Sequence, residues 1–361
     1  MSDYRVSIIS DIIYLEQIQE SWDHLLEKSA SNSFFLTWDW IYAWAKCYLK
    51  ESRKLFVIVV YDKNEIIGIA PWYVEYVPSL NTTRKQINFM GTPESGSDYL
   101  DVFMKKGKEK EITNSIYEYI MNDVRADWDC LTMTDIPASS HFMIHLINRI
   151  NHEGKYIELT RGSYCPVANL PKNQEDFFSS LSKNRREQFR RHLKMLNSTG
   201  QISHETYIGA DKKSFDVFFH LYKKNWGEEC ERFQQFIRNY SFTTHGKRNI
   251  YIDLLKYNGI YIAGLLHIQH NDSLLMYLMA IDKDFNPKIS IGNVLVGLCI
   301  KEAIKKGLSS YDFLKGEENY KLHWANKINV SNNVYYYQKR LIPLAFAVKR
   351  QIRNVGKLLL R

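Results

Sequence analysis

The sequence predicts an α+β chain (α/β mixed) made of two similar halves, each a mixed, mostly antiparallel sheet flanked by helices. Two hairpin patterns recur far apart, and each follows an aromatic helical stretch. The second is followed by a strand, a polar loop, a helix and another strand. A length of 361 residues suffices for about two domains at roughly 150 residues each. With 45% hydrophobic and 24% charged residues, disorder, collagen and coiled coil are excluded.

In chain order, Phe34–Trp40 running on to Tyr48 forms the first aromatic helical stretch. Leu55–Tyr61 then reads as a strand, 62–65 as a turn and Ile66–Trp72 as the partner strand. Between the halves, Phe177–Leu196 is amphipathic. Phe189, Leu193 and Leu196 share one face, Arg186, Arg190 and Lys194 another, and Arg185 leans toward the apolar side. Phe215–Trp226 and Phe233–Tyr240 form the second aromatic stretch. Ile250–Tyr257, Asn258-Gly259 and Ile260–Ile268 make the second hairpin, with a two-residue turn that favours positive φ. Gly68 and Gly264 stand at matching places after the two turns. Ser273–Ala280 is a third strand, Ile291–Lys306 a helix stopped by Gly307, and Ser309–Leu314 a short strand. That run is a right-handed crossover unit, which binds ligands at the carboxyl end of its first strand. The expected domains are residues 1–165, a linker helix over 166–200, and residues 201–338.

The net charge is +8, but it is local. Lys339–Arg361 holds seven Lys/Arg and no acid, an expected basic amphipathic helix able to lie on an anionic membrane surface. A second cluster runs from Lys183 to Lys194. Two local clusters suit anionic small ligands or surfaces as well as they suit nucleic acid. The five cysteines are dispersed, with no metal-ligand spacing and no disulfide framework. Residues 1–13 are not expected to be a secretory leader, having no apolar run after a basic start, and no stretch of the sequence approaches a membrane-length apolar run. A cytoplasmic protein with no metal is the expectation.

Four segments can carry chemistry. Lys288–Asn293 sits between strand and helix, where unpaired N–H groups favour phosphate; Ser290, Gly292 and Asn293 are its candidates, beside an ordinary Ser-capped helix as the plain alternative. Tyr311–Lys321 follows a strand end with Asp312, Lys315, Glu317, Tyr320 and Lys321. Gly91–Asp101 is a Gly/Ser loop with three acids, including Asp98 beside Tyr99, able to cradle a cationic acceptor or simply to turn between strands. Arg185 offers a fork for phosphate or carboxylate. His267, among apolar neighbours, reads as a structural histidine.

Together these segments resemble the GNAT-fold acetyltransferases of the cellulose-biosynthesis (CelD-type) group, related to FemX-type peptidoglycan ligases. The resemblance runs nearly end to end. It rests on Phe34–Trp40, Gly91…Ser97-Asp98-Tyr99, Cys165-Pro166, Leu181-Ser182-Lys183…Arg185-Arg186 and, most specifically, Tyr311–Trp324. Ile291-Gly292 stands where that family has Pro-Gly. The resemblance implies two tandem GNAT-like domains, the N-terminal one degenerate as a catalyst. It also implies acyl transfer from acyl-CoA, such as acetyl-CoA, to an amine on a sugar, peptide or polysaccharide precursor, with no permanently bound cofactor. Its general base is then Asp312, Glu317 or Asp98, and its acid on sulfur Tyr320 or Tyr277. Ser290, Gly292, Asn293 and Arg185 hold the donor; Lys315, Lys321, Tyr99 and Trp324 position the substrates. The competing expectations are a ligase drawing an aminoacyl group from charged tRNA, and a non-catalytic surface-binding protein, which would place the chain at the inner membrane surface.

Overall fold

The computed structural model describes residues 4–50, 52–79, 82–124, 127–209, 211–226 and 231–338. The predicted C-terminal helix, 339–361, lies outside the described residues. The chain divides into two compact units. One comprises the described residues through Gly162 together with those from Asn332 on, and the other is Ser163–Ser331. No helix among the described residues is long and apolar enough to cross a membrane.

The first unit begins with β1 (Arg5–Ile9), α1 (Ile12–Gln17), α2 (Gln19–Lys28) and α3 (Trp38–Tyr48). The predicted aromatic helix is broken: Phe34–Leu36 is a 3-10 turn, and Thr37, with extended ψ, restarts the chain as α3. Ser33 and Thr37 account for the break, because their hydroxyls bond the Phe35 N–H and the Phe34 carbonyl. Then follow β2 (Arg53–Leu55), β3 (Val57–Asp62), β4 (Glu65–Ala70), β5 (Trp72–Ser79), β6 (Thr82–Phe89), β7 (Phe103–Met104), α4 (Glu109–Asn122), β8 (Cys130–Pro137) and α5 (His141–His152). One sheet has the order β1-β3-β4-β7. In the other, β6 pairs with β5 antiparallel and with β8 in parallel, the latter over Gln86–Ile87 and Cys130–Leu131 only.

β9 (Ile157–Asn169) carries the chain from the first unit into the second, and β15 (Lys327–Tyr337) carries it back. Between them lie α6 (Gln174–Ser180), α7 (Lys183–Thr199), β10 (Ile202–Ile208), α8 (Lys212–Trp226), α9 (Glu231–Ser241), α10 (Gly246–Asn249), β11 (Ile250–Tyr257), β12 (Ile260–His270), β13 (Ser273–Ile281), α11 (Ile291–Lys305), β14 (Ser310–Asp312) and α12 (Asn319–Trp324). The strand order is β10-β11-β12-β13-β14-β9-β15. The predicted helix over 177–196 is two helices, parted where Leu181 and Ser182 take extended ψ. Its buried stripe also differs, running Phe189, His192, Leu196, with Leu193 only half-buried.

The internal repeat holds down to its irregularities. Both hairpins close on two-residue turns, Lys63-Asn64 and Asn258-Gly259, with positive φ at Lys63, Asn258 and Gly259. Both slip register so that the third residue of the return strand, Ile67 or Ile262, is the extra one. The glycines do not match so closely. Gly68 comes one residue after its bulge and faces Ile112 of α4, whereas Gly264 comes two after and faces Phe218 of α8. Each lets a helix pack close to the sheet.

A Cβ on Gly264 would stand 2.9 Å from Phe218 Cδ2 and 3.0 Å from Leu254 Cδ2. Gly264→Val is therefore expected to destabilise the chain by about 1–3 kcal/mol, read as a lower urea midpoint at unchanged slope.

Candidate functional site

In the second unit, α11 crosses over between β13 and β14, and the two strands barely meet. Their parallel pairing joins Ser273–Leu275 to Ser310–Asp312 and stops. β13 runs on to Ile281. The chain after Asp312 turns instead to β9, with the Phe313 N–H on Pro166 O at 2.9 Å and the Gly316 N–H on Tyr164 O at 2.9 Å. Asp312 Oδ1 accepts the Leu314 N–H at 2.7 Å, and Leu314 takes a φ of 55°. A second irregularity falls at the parting. Between Leu266 and His267 of β12 the register of β13 slips from Leu278 to Met276, so Tyr277 is an extra residue.

The start of α11 stands beside this opening. Ser290 is its N-cap, but its hydroxyl caps no backbone N–H; it accepts from Asn293 Nδ2 at 2.9 Å. Asn293 Oδ1 accepts from Trp324 Nε1 at 3.2 Å. The Ser290 N–H donates to His192 Nδ1 at 3.2 Å. Gly292 lies against β13, where a Cβ would come within 3.1 Å of Met279 Sδ. One turn later Gly297 meets Phe189 of α7 so closely that a Cβ would sit 2.3 Å from its ring. The helix start therefore presents backbone N–H groups and a positive dipole end with no acid in the first turn.

A shallow open cleft adjoins this start, lined by Arg185, Phe189, His192, Asn293, His323 and Trp324 among others. Arg185 Nη1 donates to Leu322 O at 3.0 Å and His323 O at 2.7 Å, tying α7 to the end of α12. Burial, with Arg191 beside one and Arg185 beside the other, lowers the pKa of His192 and of His323. The sequence reading passed over both histidines. The signal for His192 was its spacing, since 185, 189, 192 and 196 fall on one helical stripe.

The structure gathers Arg185, Ser290, Gly292, Asn293 and Trp324 around one helix start. Asp312, Lys315, Glu317, Tyr320 and Lys321 follow the strand end. Of these, Glu317 is exposed. Tyr320 is half-buried, and desolvation, with Glu318 nearby, pushes its pKa up, so it stays protonated at neutral pH. Lys321 is buried; its Nζ donates to Lys315 O at 2.6 Å and pairs with Glu318 at 3.2 Å, which closes the loop rather than reaching outward.

Asp98 and Tyr99 belong to the first unit. Their loop is laced by side chains: Trp40 Nε1 donates to Ser97 Oγ at 2.9 Å, and Ser95 Oγ to Gly91 O at 2.7 Å. Asp98 is buried, and Tyr99 is half-buried with a φ of 53°. Asp101, the loop's last acid, is also buried and accepts from the Ser31 and Ser140 hydroxyls and the Val102 N–H at 2.7–2.8 Å. An open acidic cradle is not what this loop forms: Asp98 and Asp101 are interior.

The profile of the Acetyltransferase (GNAT) domain family matches residues 183–322. None of the curated proteins matches the chain in sequence. Among solved structures, that of FemX superposes with a TM-score of 0.63 at 12% identity, over 94% of this chain and 99% of that one. L-PGS from Bacillus licheniformis gives 0.54 at 10%, over 94% and 96%. A conserved protein of unknown function from Bacteroides thetaiotaomicron gives 0.54 at 11%, over 92% and 100%. At such identities the likeness is one of fold. The chain has a tandem GNAT-like fold, and its second unit carries an acetyltransferase-type domain.

Burial raises the Asp101 pKa to about 6, against the lowering effect of its three hydrogen bonds. The folded value lies above the unfolded one of about 3.9. Its stabilising contribution is then complete below pH 4 and lost as pH rises through 6. Between pH 4 and 7 the wild type is expected to lose up to about 3 kcal/mol relative to Asp101→Asn, measured as the difference in urea-unfolding free energy against pH.

Proposed function

We propose that the second unit is an N-acyltransferase that takes an acyl group from acyl-CoA and passes it to an amine on a sugar, peptide or polysaccharide precursor. The observation that carries this is the three-residue pairing of β13 with β14 beside the bare start of α11. A strand edge that has lost its neighbour can hydrogen-bond an extended pantetheine arm, as a further strand would. The helix start at Gly292 then receives the pyrophosphate. The corresponding helix of the first unit, α4, carries Glu109 and Glu111 in its first turn. Carboxylates there take the position an anion would occupy. The donor accordingly belongs to the second unit, and the first is degenerate as a catalyst. Kinship with the CelD-type group is part of the same proposal and rests on the Tyr311–Trp324 motif.

The chemistry follows from the strand ends. The acceptor amine attacks the thioester carbonyl, forming C–N and breaking C–S. A carboxylate takes the amine proton; Asp312, at the point where the strands part, is the choice over exposed Glu317. The backbone N–H groups around the Tyr277 bulge supply the donors that a developing oxyanion needs. Tyr320, kept protonated, is the proton source for the departing thiolate. Arg185, Asn293 and Trp324 hold the cleft wall, while Lys315 and Lys321 fix the loop behind Asp312.

A second reading has an observation of its own: Lys183, Arg190, Arg191 and Lys194 are exposed along α7. If the acyl donor is an aminoacyl-tRNA, its phosphates meet this face. Activity then falls steeply with salt through counterion release, whereas acyl-CoA use changes little.

Thermal unfolding with CoA, acetyl-CoA and longer acyl-CoAs tests the donor site. A ligand at 100 times its dissociation constant is expected to stabilise the wild type by about 2.7 kcal/mol. Gly292→Asp is expected to abolish the shift; a Cβ there comes closest to Met279 Sδ at 3.1 Å, the end of a flexible side chain, and the ligand-free urea midpoint of the variant checks that it folds. No shift with any thioester, or an undiminished one in Gly292→Asp, refutes this site.

A further inference from the structure

Beneath α11 the core consists of side chains such as Leu255, Leu265, Leu274, Val296 and Ile300. A polar knot interrupts it. His204 of β10, Asp253 of β11 and Cys299 of α11 converge there, with Asp253 and Cys299 buried and His204 half-buried. His204 Nε2 lies 2.9 Å from Asp253 Oδ1 and 3.8 Å from Cys299 Sγ, and the three atoms fall within 4.8 Å of one another. None of the three lines the cleft at the start of α11. We propose that His204, Asp253 and Cys299 form a three-ligand site for a divalent transition ion of borderline softness, zinc being the reference case.

The donor set is the first argument. Imidazole, carboxylate and thiolate are the ligands zinc takes, and three protein ligands with one open position is the pattern of an accessible site. Tetrahedral coordination with bonds of roughly 2.0 Å to N and O and 2.3 Å to S requires edges of about 3.3 Å for N···O and 3.6 Å for N···S. The two edges from Nε2, 2.9 and 3.8 Å, need shifts of under half an ångström, and the carboxylate-to-sulfur edge lies within 4.8 Å.

Hydrogen bonding is the second. Nε2 of His204 faces both a carboxylate oxygen and a sulfur. A proton on Nε2 serves Asp253 well and reaches the sulfur only at 3.8 Å. A lone pair on Nε2 can take the thiol proton but opposes the carboxylate. Without an ion, a proton on Nε2 and the thiol proton can both serve Asp253; a cation between the three takes the place of those protons and lets each ligand direct a lone pair at one point.

The surroundings orient the ligands. Asp253 Oδ2 is held by His267 Nδ1 at 2.8 Å, and His267 Nε2 by the Tyr311 hydroxyl at 2.6 Å. Thr206 Oγ1 donates to Asp253 Oδ1 at 2.6 Å. Such outer partners fix a carboxylate's direction in metal sites. A small cavity of about 20 Å³, lined by Thr206, Asp253, Cys299, Glu302 and Lys306 among others, lies beside the carboxylate and the sulfur and leaves room for one water-sized fourth ligand. Glu302, one turn after Cys299, brings a further carboxylate to its wall. The Lys306 ammonium lies 4.5 Å from the Tyr251 ring centroid.

The test uses the full-length chain, stripped with a chelator and titrated with Co²⁺. One equivalent is expected to bind with a near-ultraviolet thiolate-to-cobalt charge-transfer band and tetrahedral visible bands, and Zn²⁺ should displace it. Cys299→Ser should lose the charge-transfer band, and His204→Gln should weaken binding about tenfold or more. No thiolate band in the folded wild type overturns the proposal. So does a band that survives in Cys299→Ser, which would assign the sulfur to another cysteine. Should Cys299→Ser fail to fold, His204→Gln decides alone: unchanged affinity refutes the site.

Discussion

The second unit depends on two strands that meet for three residues and then part. Parallel strands that pair along their length leave no backbone groups for a ligand. Here two features keep β13 and β14 from closing. The chain beyond Asp312 commits its N–H groups to β9, at Pro166 and Tyr164, and β13 gains an extra residue at Tyr277. The first change takes the partner away, and the second turns the remaining edge. Asp312 holds the divergence by accepting the N–H of Leu314, whose left-handed backbone turns the chain away.

The helix over this opening needs two close approaches, and each falls on a glycine. Gly292 lets the first turn of α11 settle on Met279 and Ile281, and Gly297 lets the next turn rest on the ring of Phe189. Phe189 stacks in turn on Phe178 and meets Trp324 edge-on, and Trp324 reaches back to Asn293. The orientation of the helix start is thus set by an apolar cluster behind it. The polar side chains at the start serve one another, which leaves the backbone amides and the helix dipole to meet a ligand.

Much of this was legible in the residues. Asn258-Gly259 marked its turn to the residue, Gly307 marked the end of α11, and the repeated hairpins revealed the tandem plan, because turn chemistry and alternation are local signals. The breaks at Thr37 and Leu181-Ser182 were missed because hydrophobic spacing continues across them while hydroxyls compete for the helix carbonyls. β5 and β6 were missed because β6, the partner of β5, is largely polar and carries little apolar alternation. Lys321 and Arg185 read as ligand-binding cations, yet both satisfy carbonyl oxygens of their own chain. Charge is visible in a sequence; the partner that neutralises or binds it is a tertiary fact.

The same limit explains why the knot under α11 was invisible. His204, Asp253, His267 and Cys299 are spread over 96 residues and match no spacing motif. Antiparallel register, which sets Thr206 opposite Asp253 and Tyr251 opposite His267, brings the first three to one face, and the crossover helix α11 brings Cys299 to them. Burial alone would raise the pKa of Asp253, but hydrogen bonds from His204 and His267 hold its carboxyl well below the usual carboxylate range. A buried carboxylate so held is costly to disturb. Its influence reaches the strand end through Tyr311, whose hydroxyl meets His267 and which directly precedes Asp312 in β14. Neighbours in a strand point to opposite faces. One short strand therefore anchors the buried network with one residue and carries, with the next, the carboxylate at the point where the sheet opens.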